Sequence, residues 1–129
     1  MAIYLKSLNL GITASAMCSA DYKERFAAEY LQTKVRYERL KAFCDKIEAA
    51  FITATVDSPK KIKEPAHDCP MHLLRDQQRL MGEYLHTLEM RAIIEDIDLE
   101  EYISGMLNEW DAESPLIKPL SDEHVKCGG

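Results

Sequence analysis

The sequence predicts an all-α protein, built as a long antiparallel helical hairpin plus a shorter third helix and assembled as an oligomer. Three observations carry this reading. A heptad-like seam runs without interruption from Phe26 to Phe51. A second long helical pattern carries two neighbouring apolar seams. Glycine and proline number only five each in 129 residues, too few turn signals for a sandwich or barrel. At 14.7 kDa the chain is one domain's worth. Its 47% hydrophobic and 29% charged composition excludes general disorder.

The elements follow in order. Residues 1–20 form an N-terminal segment, in which Ile3, Leu5, Leu8 and Leu10 fit either an extended stretch or a short docking piece. The uncharged stretch 7–20 is rich in Ser, Ala and Gly, without the basic start and apolar centre of a signal peptide. No apolar run reaches the roughly 18 residues that a membrane span requires.

The first firm helix is predicted over 21–50. Asp21 followed by Glu24 reads as a capping box. Phe26, Tyr30, Thr33, Tyr37, Leu40, Cys44, Ile47 and Phe51 then alternate steps of four and three, the seam of a helix packed along another. Thr53, Thr55 and Val56 continue a helix poorly, and a basic loop with two prolines fills the stretch to 68.

A second helix is predicted from near Pro70 to Asp96, capped by Asp68 or Cys69. One seam reads Leu74, Gln78, Met81, Leu85, Leu88 and Ala92. The other reads Leu73, Gln77, Leu80, Tyr84, Thr87, Arg91 and Ile94. Two seams are wider than one partner helix covers, so a third helix or another subunit must meet the second. The hairpin domain thus spans 21–96. The remainder, 97–129, is read as a third helix at 98–111, opened by Asp98 and Glu101, and a frayed tail.

Net charge is −6, which argues against counterion-driven binding to long nucleic acid. The charge is uneven. Residues 34–63 hold eight bases against four acids, and residues 89–129 hold eleven acids against three bases. Four cysteines, without a CxxC pair, are expected to be reduced thiols of a cytosolic protein.

Catalytic chemistry finds little support. There is no GxSxG, P-loop, HExxH or GxGxxG motif, so the chain is expected not to be an enzyme and to need no cofactor. His67, Cys69 and His72 invite a zinc reading, but the second ligand pair is missing; no metal is expected. The first helix offers recognition chemistry instead. Tyrosines interleave with bases there, and aromatic faces stack on nucleobases while guanidinium forks grip phosphates. Tyr30 and Tyr37 lie in the seam. Tyr22 precedes it, and Arg36 and Arg39 leave it, which frees them for a ligand.

Residues 25–43 and, more closely, Cys69-Pro70, Leu73-Leu74, Gln77 or Gln78, Met81, Tyr84, Leu88, Arg91-Ala92 and Glu95 resemble the helical hairpin of small phage anti-defence "sponges". The resemblance covers about 21–96. It implies sequestration, without cleavage, of a cyclic oligonucleotide of CBASS immunity or a cyclic ADP-ribose-like signal of Thoeris immunity. It also implies homo-oligomers, often hexamers, in the cytoplasm of a bacterial host. In its characterised cyclic-dinucleotide binders a Tyr at the start of the first helix stacks on the base, and Tyr22 matches it. A Lys about four turns later meets phosphate; here Arg36 or Arg39 is nearest, with Lys34 beside them. The alternative reading is a helical protein–protein interaction or assembly module.

Overall fold

The computed structural model describes residues 5–57 and 59–113, with side chains through Trp110. Among them there is no strand, and the fold is all-α as predicted. The elements are two 3₁₀ turns, Leu5–Ser7 and Leu10–Thr13, and helices α1 (Ala14–Met17), α2 (Tyr22–Thr55), α3 (Met71–Ile94) and α4 (Leu99–Glu113). The proposed tail beyond α4 lies outside the described residues. No described helix is long and apolar enough to cross a membrane.

The helix α2 begins where the sequence places it. The Asp21 carboxylate accepts from the Lys23 amide at 3.0 Å, satisfying a donor that the first turn cannot pair internally. The reciprocal half of the capping box is different: the Asp21 amide donates to the Ser19 hydroxyl at 3.0 Å, and Glu24 is not its acceptor. At the other end the helix runs past the predicted stop. Thr53 donates its hydroxyl to the Ala49 carbonyl and Thr55 to that of Ile52, both at 3.0 Å, so these residues find partners inside the helix. Lys61 of the loop then donates to the carbonyls of Thr53, at 2.7 Å, and Val56, placing a cation where the helix dipole is negative.

The hairpin is antiparallel. Tyr22 meets Glu95, Tyr30 meets Glu89, and Asp45 meets Arg75, in descending step along α3. Between the last two pairs Gly82 faces Tyr37: a Cβ there would stand 3.4 Å from the ring, so the missing side chain lets the helices approach. The first predicted seam of α3 is the one turned inward, with Leu85, Leu88 and Ala92 buried. The α2 seam is buried at Phe26, Cys44 and Ile47 but ends before Phe51, which is 66% exposed.

A correction concerns what else α2 buries. Besides Cys44 of the seam, its most enclosed residues are Ala27, Ala28, Leu31 and Val35, which lie outside the seam. They form a second core with Ile12 and Ala16 of the N-terminal segment and Met106 of α4. The segment is therefore a docking piece, not an extended stretch. Thr13, fully buried, accepts from Gln32 at 2.9 Å and donates to the Leu10 carbonyl, which leaves its hydroxyl satisfied.

The start of α3 also differs from expectation. Pro70 itself is the N-cap, and no side chain of Asp68 or Cys69 caps the helix. His67 braces the approach instead: its ring meets the Cys69 carbonyl at 2.7 Å and the Glu64 carboxylate at 2.8 Å, and stands edge-on to Phe43. Only the imidazolium donates at both nitrogens, so the Cys69 carbonyl first, and Glu64 second, raise the His67 pKa above its ordinary 6.5. A raised folded-state value adds stability that is fully present below pH 6.5. It is lost as pH rises through the folded value. The melting temperature of the protein should therefore fall across that interval relative to His67→Ala. Parallel pH curves for the two proteins would refute the brace.

The chain leaves α3 through Asp96, in the left-handed region at φ 59°. The Ile97 amide bonds back to the Ala92 carbonyl at 2.8 Å, and Ile97 buries beside Phe26, Leu88 and Ala92. This is a Schellman-type stop with its hydrophobic contact. Asp98 then accepts from the Glu101 amide at 3.1 Å and starts α4, as predicted. The cysteine expectation needs correcting: Cys44 and Cys69 are free thiols, but Cys18 is disulfide-bonded. Spacing along the chain carries no information about which distant cysteines meet.

Candidate functional site

The turn at Asp96 brings the end of α3 against the start of α2 and builds a compact polar cluster there. Tyr22, 45% exposed, donates its hydroxyl to Glu95 Oε1 at 2.8 Å and accepts from Arg91 Nη2. Arg91 Nε donates to Glu95 Oε2 at 2.9 Å, one turn along α3. The guanidinium lies over the Phe26 ring, 4.9 Å from its centroid, and Phe26 in turn meets the Tyr22 ring edge-on. Lys23 extends the positive charge by donating to the Asp96 carbonyl at 3.1 Å.

The electrostatics are mutually consistent. The bond to Glu95 chiefly holds the Tyr22 phenol above its ordinary pKa, so the ring stays neutral and amphipathic. The Glu95 carboxyl is held below its usual range, by Tyr22 first and Arg91 second. Arg91, bonded to Glu95, keeps its charge. An exposed aromatic ring thus has a fixed orientation and a guanidinium within hydrogen-bond reach. That combination suits a planar base joined to an anion.

The other predicted residues are not brought to this cluster. Lys34 lies about 18 Å further along α2 at 1.5 Å per residue. Its ammonium sits 5.8 Å from the Tyr37 ring centroid and 3.6 Å from the Glu38 carboxylate. Arg36 is exposed and forms no hydrogen bond or ion pair among the described residues. Arg39 is committed elsewhere: its Nε donates to the Lys6 carbonyl at 2.8 Å and its Nη2 to that of Leu8. This tethers the N-terminal segment to α2.

Beside Lys34, Tyr37 forms one wall of an open groove of about 660 Å³ between α2 and α3. Gly82, Arg79 and His86 line its α3 side. Arg79 is paired with Glu83 at 3.0 Å, and Arg75 joins Asp45 at 3.2 Å and also Glu48.

The sequence reading missed Arg91 and Glu95 as partners of Tyr22. Arg91 was placed in the second α3 seam, and only the register of the hairpin shows that its guanidinium reaches across to α2. The large apolar members of that seam, Leu73, Leu80, Tyr84 and Ile94, are all exposed, from 42% to 82%. The third helix packs on α2 and leaves them uncovered.

No curated protein and no solved structure matches the chain. A family model does: the one described as Sequestin aligns with residues 20–94, which include both hairpin helices and, of the Tyr22 cluster, Tyr22, Lys23, Phe26 and Arg91. That match spans more than half of the sequence and nearly all of the hairpin, and the chain belongs to the Sequestin family.

Proposed function

We propose that the protein sequesters a cyclic oligonucleotide or cyclic ADP-ribose-type immune signal as a phage anti-defence protein, in the cytoplasm of a bacterial host. It holds the signal without cleaving it. The family's name supports sequestration, and the single structural observation behind a nucleotide ligand is the exposed Tyr22 ring fixed beside Arg91. The ring stacks on a base and the guanidinium meets phosphate. Arg36, exposed and without a partner among the described residues, is available to a second contact from a neighbouring protomer.

The test is a thermal-shift screen of the purified protein against cyclic dinucleotides, cyclic trinucleotides and cyclic ADP-ribose isomers. A ligand at 100 times its dissociation constant adds about 2.7 kcal/mol, a visible rise in melting temperature. The bound compound should be recovered unaltered after heat denaturation. A cleaved product would make the protein an enzyme, and a blank screen would remove the nucleotide reading.

The second α3 seam favours a homo-oligomer, which is also the core of the alternative reading as an assembly module. Leu73, Leu80 and Tyr84 border an apolar concavity of about 320 Å³ on the outer face of α3. Contiguous exposed apolar surface of this kind marks a contact. Native mass spectrometry at micromolar concentration should show multiples of the 14.7 kDa protomer, with Leu80→Glu shifting them to monomer. A wild-type monomer would refute this part.

A further inference from the structure

A further cavity lies apart from the Tyr22 cluster, where α4 meets the N-terminal segment. Its volume is about 440 Å³, and two aromatic rings wall it, Tyr102 and Trp110. Three carboxylates, Glu24, Glu101 and Glu109, complete its rim. None of the three forms an ion pair or side-chain hydrogen bond among the described residues. Except for Glu24, these residues fall outside the residues that the family model matches.

We infer that this cavity binds a small flexible organic polycation of the polyamine class, its ammonium groups at the carboxylates and its methylenes along Trp110, Tyr102 and Met106. The composition of the walls selects this chemistry. A metal ion needs ligands gathered around one point, and no such group of three exists among the described residues. A neutral apolar ligand would gain nothing from the three carboxylates, which water already solvates. Separate carboxylates with aromatic and apolar surface between them match a chain of alternating charge and methylene. Ammonium groups over Trp or Tyr faces gain a further attraction. The carboxylate field reaches into the cavity: burial first, then Asp21, Glu101 and Glu24, push the Tyr102 phenol up. The floor is open at Gly105, where an added Cβ would meet nothing within 4 Å.

Trp110 is the only tryptophan of the chain, so its fluorescence reports on this cavity alone. Spermidine titrated at low ionic strength should produce a saturable change in that fluorescence. Glu101→Gln combined with Glu109→Gln should weaken the response at least tenfold, and Gly105→Leu, which fills open space, should do the same. Tyr22→Ala, which alters the other side of α2, should leave it unchanged. That last variant separates this inference from the sequestration reading, since either can fail without the other. No response below millimolar spermidine would overturn the inference. So would an equal response to magnesium at matched ionic strength, or full response in the double Gln variant.

Discussion

Leu31→Ala is expected to destabilise the protein by about 2–5 kcal/mol, the range for truncating a large side chain in a closed core. Leu31 is 2% exposed and is enclosed by the N-terminal segment on one side and α4 on the other. Loss of its side chain leaves a cavity that three separate pieces of chain would have to close together. Urea unfolding should show a lower midpoint with an unchanged slope. Phe51→Ala is the matched control. It deletes a larger side chain that the heptad pattern placed in the seam, yet at 66% exposure it should change stability by only about 0.5 kcal/mol. Equal effects for the two variants would mean that the second core of α2 is misassigned.

The second large effect is on binding. Tyr22→Ala should weaken binding of the sequestered signal by about five- to 150-fold, because stacking on an aromatic ring contributes about 1–3 kcal/mol per base and tenfold corresponds to about 1.4 kcal/mol. Arg91→Ala should have a comparable effect through the lost phosphate contact and the released Tyr22 hydroxyl. Tyr22→Phe keeps the stacking face and removes only the tether, so it should lie between wild type and Tyr22→Ala. Arg39→Ala should behave differently: affinity stays, while limited proteolysis of the N-terminal segment quickens, because both of its donor contacts serve backbone carbonyls of that segment. Calorimetry on the ligand found in the thermal screen reads all four. Unchanged affinity for Tyr22→Ala would remove the Tyr22 cluster from the site, and weakened affinity for Arg39→Ala would restore Arg39 to it.

How far the residues alone lead is visible in α2. Its seam toward α3 is legible because large side chains recur at steps of three and four. Its second buried face begins with Ala27 and Ala28, whose small side chains give little hydrophobic signal and are enclosed because they let neighbours come close. Leu31 and Val35 alone did not make a stripe. In α3 the wide apolar surface was legible, but which seam turns inward depends on tertiary packing. Capping was readable where one side chain acts locally, as at Asp21 and Asp98. It was not readable at Pro70, where the brace comes from the His67 ring. Tyr22 could be singled out by its position before the seam, whereas Arg91 becomes its partner only through the antiparallel register.

The burial of α3 is lopsided, and this has a dynamic consequence. All of its fully buried side chains, Leu85, Leu88 and Ala92, belong to the C-terminal half, beside the Tyr22 cluster. The half from Met71 to Tyr84 contributes none. Opening of that half exposes less apolar surface, so its amide protons should trade with deuterium sooner than those of residues 85–94. The Tyr22 cluster therefore sits at the end of the hairpin expected to exchange slowly. A neighbouring protomer seated on Leu73 and Leu80 would retard exchange at the other end, making the deuterium gradient along α3 a direct gauge of assembly.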